Sequence, residues 1–204
     1  MPRLTEARRD GRRAHILAAA EACFARLGFH HATMRDVVAE ADLSTGCVYK
    51  HFRSKDEIVA AITTDRHLAE AALFEQAEEI DDPIEALRRL GGAFIRACAT
   101  PEGMAARRVG VQTWTEALVD DAMRARVLEG IDLPVARIET LVLRAHERGR
   151  LTKRATPEAL ARAFVSLFHG FVLQKLWQPE LDPEPYLTAM DVMLDGLVIP
   201  TVRR

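Results

Sequence analysis

Apolar positions along the chain recur at steps of three and four. Ile16, Ala20, Cys23, Phe24 and Leu27 make one helical face that stops at Gly28, a residue suited to the left-handed conformation that ends a helix. Thr33, with Asp36 three residues on, has the paired side-chain oxygens that satisfy free amides at a helix start, and this second helix is expected to run to about Ala41. Ser44 caps a third short helix through about Phe52, and Ser54 with Glu57 opens a much longer one. Further starts are marked where a capping side chain precedes proline, at Asp82-Pro83, Thr156-Pro157 and Asp182-Pro183. Gly149 and Gly170 mark stops. Strand signals are weak: period-two alternation is not sustained, and neither Asp10-Gly11 nor Asp195-Gly196 lies between strand-like runs. The pattern predicts an all-α chain of roughly nine or ten helices.

Between Thr33 and Phe52 the order is short helix, tight turn, short helix, which is the arrangement of a helix-turn-helix. The turn residues are Ala41, Asp42, Leu43 and Ser44. A sharp bend needs a residue tolerant of left-handed angles, and Asp42 serves where glycine is more usual. Leu43 then points inward, with Val37, Val48, Phe24, Phe29 and Phe52 as the matching core. The outer face of the third helix carries Thr45, Gly46, Tyr49, Lys50 and His51, few of which packing requires. Short donors near the N-terminus of such a helix suit base edges in a major groove, and longer ones suit phosphates. A helix with this polarity also occurs as an ordinary solvated face; the turn and the spacing around it favour DNA.

The block Ala41-Asp-Leu-Ser-Thr-Gly-Cys-Val-Tyr-Lys-His-Phe-Arg-Ser-Lys-Asp56 resembles the signature of the TetR family of bacterial transcriptional regulators. The resemblance runs from about Ile16 to Ile58, taking in Gly28-Phe29, the run from Ala32 to Val37, and Tyr49, His51, Phe52, Ser54 and Lys55. Asp42 in place of the usual turn glycine and Val38 in place of the usual alanine depart from the pattern. The resemblance implies an N-terminal three-helix DNA-binding domain, residues 1–56, followed by a larger helical effector-binding and dimerisation domain, residues 57–204. Carried onto this sequence, it implies that Thr45 and Gly46 approach base edges, while Thr33, Tyr49, His51 and Lys55 hold phosphates. Arg35, Ser44 and Lys50 complete the expected DNA-contacting set. Arg3, Arg8, Arg9, Arg12 and Arg13 read either as an arm laid along a groove or as a frayed basic terminus.

Two apolar stripes near the C-terminus stand at helical spacing: Leu160, Phe164, Phe168, Val172 and Leu176, then Leu187, Met190, Leu194 and Leu197. They build either the subunit's own core or a partner surface. The resemblance implies a homodimer closed by the last two helices, which gives Leu160, Val172, Leu176, Leu187, Met190, Leu194 and Leu197 a share in the interface. In the middle of the chain, Phe94, Cys98, Met104, Val111, Trp114 and Leu118, with Gln112, Phe164 and Phe168, suit a small-molecule pocket as well as they suit a plain core. The resemblance implies the pocket. The function expected is a ligand-responsive regulator, a repressor released from a palindromic operator in double-stranded DNA by a small apolar or amphipathic effector. The alternative is a structural or protein-recruiting DNA-binding factor of the same fold without a ligand.

Charge adds little. Residues 1–56 hold ten Lys or Arg against seven Asp or Glu, and the remainder eighteen against twenty-three, so the basic excess is N-terminal but small. Three distant cysteines, Cys23, Cys47 and Cys98, argue against a disulfide framework or zinc knuckle, and Cys47 reads as a packing residue. No Gly-rich phosphate loop, nucleophile elbow or metal-spaced histidines are visible, and His30 and His31 point to different sides of any regular element. Neither an enzyme, a cofactor nor a metal is expected. The longest uncharged stretch, residues 163–174, is twelve residues long, against roughly 20 needed to span a bilayer. With no secretory signal visible, a cytoplasmic protein with no membrane partner is expected.

Overall fold

The computed structural model describes residues 2–29 and 31–200, with side chains from residue 7 onward. His30 and the side chain of Arg3 lie outside the described residues. Regular structure among those described is helical: α1 Pro2–Leu27, α2 Met34–Glu40, α3 Thr45–His51, α4 Lys55–Glu78, α5 Pro83–Ala99, α6 Pro101–Glu116, α7 Asp121–Glu147, α8 Pro157–Trp177 and α9 Pro183–Asp195. A single isolated bridge pairs Leu151 with Val198. None of the described helices is long and apolar enough to cross a membrane.

The starts lie where capping chemistry puts them. Thr33 accepts from the Asp36 N–H, and the Asp36 carboxylate accepts from the Thr33 N–H, closing the reciprocal box. Asp82, Thr156 and Asp182 each cap a helix whose first residue is proline. At the start of α4 the box is shifted by one residue: Ser54 Oγ accepts from Glu57 N, but the Glu57 carboxylate takes the N–H of Arg53. Gly28 and Gly149 hold positive φ, 79° and 63°, and both end helices.

Two expectations need correction. Gly170 lies inside α8 rather than ending it, because the face made by Ala161, Val165, Phe171 and Val172 is buried on both sides of it. The basic N-terminus is neither a loose arm nor frayed: α1 extends to Pro2, so Arg8, Arg9, Arg12 and Arg13 are helical. The C-terminal stripes are divided by burial. Leu160, Val172, Leu187 and Leu194 are buried within the single chain, and Leu176, Met190 and Leu197 are half-buried. The first four therefore serve the protomer's own packing.

The chain forms two compact units. The first comprises Met1–His67 with Ala105–Thr115, and the second Leu68–Met104 with Glu116–Arg204. The core of the first gathers Ile16, Phe24, Val37, Val48, Phe52, Ile58 and, from α6, Val109, each at most 5% exposed. Burying side chains of this size contributes on the order of 1.5–3 kcal/mol each. Such packing holds α2 and α3, each only seven residues long, which isolated in water would not persist. The second core centres on Phe74, Leu87, Leu90, Val135, Ile138, Leu141, Val142, Leu151 and Val165. Pro134 sits inside α7 and lacks the N–H that would reach back one turn, yet the helix continues, because the buried run from Val135 to Ala145 outweighs the loss.

Candidate nucleic-acid interface

Asp42 has φ of 49°, the left-handed conformation that the bend between α2 and α3 requires. Leu43 follows with its N–H directed at the Val38 carbonyl and its side chain packed against the first core. From α1, the His15 ring places Nε2 2.8 Å from the Ala41 carbonyl, and since a carbonyl only accepts, that nitrogen carries the proton. The turn is thus fixed from the backbone, the core and a neighbouring helix at once. Nothing in the spacing pointed to His15.

Ser44 caps α3 by accepting from the Cys47 N–H at 3.3 Å. Val48 and Phe52 are buried, which turns Thr45, Gly46, Tyr49 and Lys50 outward, all of them exposed. A Cβ added at Gly46 would meet nothing within 4 Å, so this face is open to a close approach. Of the other expected contacts, Thr33, Arg35 and Ser44 are exposed or partly so, and His51 is half-buried. Burial, and then the charges of Arg9, Arg12, Lys50 and Arg13, push the His51 pKa below its ordinary value. Asp36 is held below the usual carboxylate range by hydrogen bonds from the Thr33 side chain and backbone.

Lys55 is placed differently from the rest. Its ammonium donates to the Phe29 carbonyl at 2.7 Å and stands 4.7 Å from the centroid of the Phe29 ring. On the other side of the same residue, Phe29 N–H donates to Gln112 Oε1 at 2.9 Å. Gln112, expected among pocket residues, anchors the α1–α2 turn within the first unit.

Residues 16–62 match the family model described as bacterial regulatory proteins, tetR family, and residues 83–199 match that of the BetI-type transcriptional repressor C-terminal domain. The chain belongs to the TetR family. It is 38% identical over 84 residues to the HTH-type transcriptional regulator YfiR of Bacillus subtilis, a match covering 41% of this chain and 38% of YfiR. Among solved structures it is similar to SmeT, the repressor of the Stenotrophomonas maltophilia multidrug efflux pump SmeDEF, with 28% identity, a TM-score of 0.72, and 92% of this chain and 90% of that one covered. NalD, the secondary repressor of the MexAB-OprM multidrug efflux pump in Pseudomonas aeruginosa, gives 25% identity and a TM-score of 0.73 over 93% and 98% of the two chains.

In this TetR-family chain the expected pocket residues are divided between the units. Val111, Gln112 and Trp114 belong to the first; Phe94, Cys98, Met104, Leu118, Phe164 and Phe168 belong to the second. In the second unit Phe94 and Phe168 meet edge to face with centroids 5.2 Å apart, and Phe74, absent from the expected set, packs 5.3 Å from Phe94. Cys98 is buried, Phe164 packs against the core, and Leu118 is 75% exposed. The large apolar side chains that α8 and α9 leave exposed are Trp177, Val192 and Met193, at 74%, 66% and 56%. These lie on faces that the stripe reading passed over.

Proposed function

We propose that this chain is a DNA-binding transcriptional repressor that works as a homodimer and is released from a palindromic operator by a small apolar or amphipathic effector. The observation that carries the reading is the outward row Thr45, Gly46, Tyr49 and Lys50 on a capped helix, presented by a turn fixed at Asp42 and Leu43. Thr45 and Gly46 approach base edges; Thr33, Arg35, Ser44, Tyr49, Lys50, His51 and Lys55 bind phosphates or flanking edges. The matched stretches span 38% and 44% of two curated relatives, and both of those are HTH-type transcriptional regulators.

One copy of α3 reads only a few base pairs, so two copies on two half-sites are required for specificity. Trp177, Val192 and Met193, exposed on α8 and α9, are the apolar side chains offered to the second copy. The aromatic group of Phe74, Phe94 and Phe168 is the part of the second unit suited to an apolar effector, a reading supported by a solved complex of SmeT with triclosan. Such an effector acts only by binding one arrangement of the dimer better than the other. Selection of bound duplexes from a random pool tests the function: a recovered palindrome supports it, and a pool with no enrichment overturns it.

A further inference from the structure

The basic residues of α1 lie outside the helix-turn-helix yet beside it. Arg8, Arg9, Arg12 and Arg13 fall within one arc of about 140° on a helix of 3.6 residues per turn, and Asp10 falls outside that arc. Arg13 is committed within the protein: Nη1 meets the Asp65 carboxylate at 2.8 Å, and the guanidinium stands 5.9 Å from the centroid of the Phe52 ring. Arg12 reaches α3 itself, with Nη1 3.7 Å from Cys47 Sγ. Arg8, Arg9 and Arg12 are exposed. The charges of Arg9, Arg12 and Lys50 all act on His51 at the end of α3, so a basic strip runs from α1 to the end of α3.

We propose that the first turns of α1 form a rigid basic ridge, with Arg8, Arg9 and Arg12 gripping the phosphate backbone beside the groove that α3 enters. The occupant is double-stranded DNA, on two grounds: the strip reaches the end of α3, and its charge complements a polyanion. This inference rests on the DNA-binding reading above and adds to it a second contact element, one that reads no sequence. A helical ridge differs from a flexible arm in a checkable way, because its arginines act only while the helix holds them in place. Gly11 lies between Arg9 and Arg12, and a Cβ there meets nothing within 4 Å. Alanine at this position preserves the ridge; proline breaks it without removing any charge.

The test measures binding of the full-length protein to a duplex of arbitrary sequence, about 30 base pairs long, across a series of salt concentrations. Removing one phosphate-bound charge lowers the magnitude of the log K against log salt slope by about 0.9. The combined Arg8→Ala, Arg9→Ala, Arg12→Ala variant is expected to lower it by about 2–3 per subunit, and Gly11→Pro by about 1–2. Gly11→Ala is expected to retain the wild-type slope. Arg89→Ala, which removes one exposed charge from the second unit, is expected to leave the slope unchanged. Circular dichroism and melting curves establish that each variant is folded. A wild-type slope in the triple variant overturns the ridge, as does an equal decrease per charge in Arg89→Ala. A wild-type slope in Gly11→Pro overturns its rigidity and leaves a flexible arm in its place. Failure of the wild-type protein to bind any duplex overturns the DNA-binding reading itself, and the ridge with it.

Discussion

Gln112 of α6 accepts the backbone N–H of Phe29 at 2.9 Å, joining the middle of the chain to the turn between α1 and α2. Lys55 holds the carbonyl of the same residue, so both backbone groups of Phe29 are tied by side chains from elsewhere in the sequence. Phe29 is 9% exposed, and a backbone donor there that loses its acceptor carries a desolvation cost. Gln112→Ala is expected to destabilise the first unit by about 1–3 kcal/mol. Hydrogen exchange at α1 and α2, compared with α7, reads this out; equal protection in wild type and variant would show that the bond contributes nothing.

Asp42 adopts left-handed angles that cost most side-chain-bearing residues roughly 1–2 kcal/mol. Asp42→Gly is therefore expected to be neutral or to stabilise by up to about 1 kcal/mol, and Asp42→Val to destabilise by about 1–2 kcal/mol. Denaturant midpoints of the two variants rank them. Finding valine as stable as glycine would mean that the turn relaxes without this conformation.

The depressed pKa of His51 has opposite consequences for folding and for DNA binding. In the free protein the unfolded chain binds the proton more readily, so this contribution to stability is complete above about pH 6.5 and is lost as pH falls through that range. A phosphate against His51 favours the charged form, so binding takes up a proton and affinity rises as pH falls from about 7 toward about 5.5. His51→Gln is expected to flatten that rise. An affinity profile identical to wild type would remove His51 from the interface.

Trp177 and Met193 are two of the three exposed apolar side chains on α8 and α9 that the dimer reading uses. Trp177→Glu combined with Met193→Glu is expected to give a folded monomer by light scattering, with loss of binding to paired half-sites. A variant that remains dimeric would move the interface to another surface.

Much of the first unit was legible because its signals are local. The caps at Thr33 and Ser44, the stop at Gly28 and the strained Asp42 are each decided within four residues. The roles of His15, Gln112 and Lys55 were not legible, since each depends on a partner at least 26 residues away that no spacing rule specifies. The C-terminal stripes stayed open between core and partner surface for a related reason. Helical periodicity finds an apolar face but does not say what covers it, and here Leu160, Val172, Leu187 and Leu194 are covered within the same chain. The extension of α1 to Pro2 escaped because a basic, glycine-containing segment has no apolar face to report it.

Whether the outer face of α3 reads DNA is decided by parallel selection from one random duplex pool with wild-type protein and Thr45→Ala. A palindrome is expected for the wild type and, for the variant, relaxed or altered preference confined to the base pairs beneath the start of α3 in each half-site. An identical motif from both proteins would contradict a base-reading role for this face.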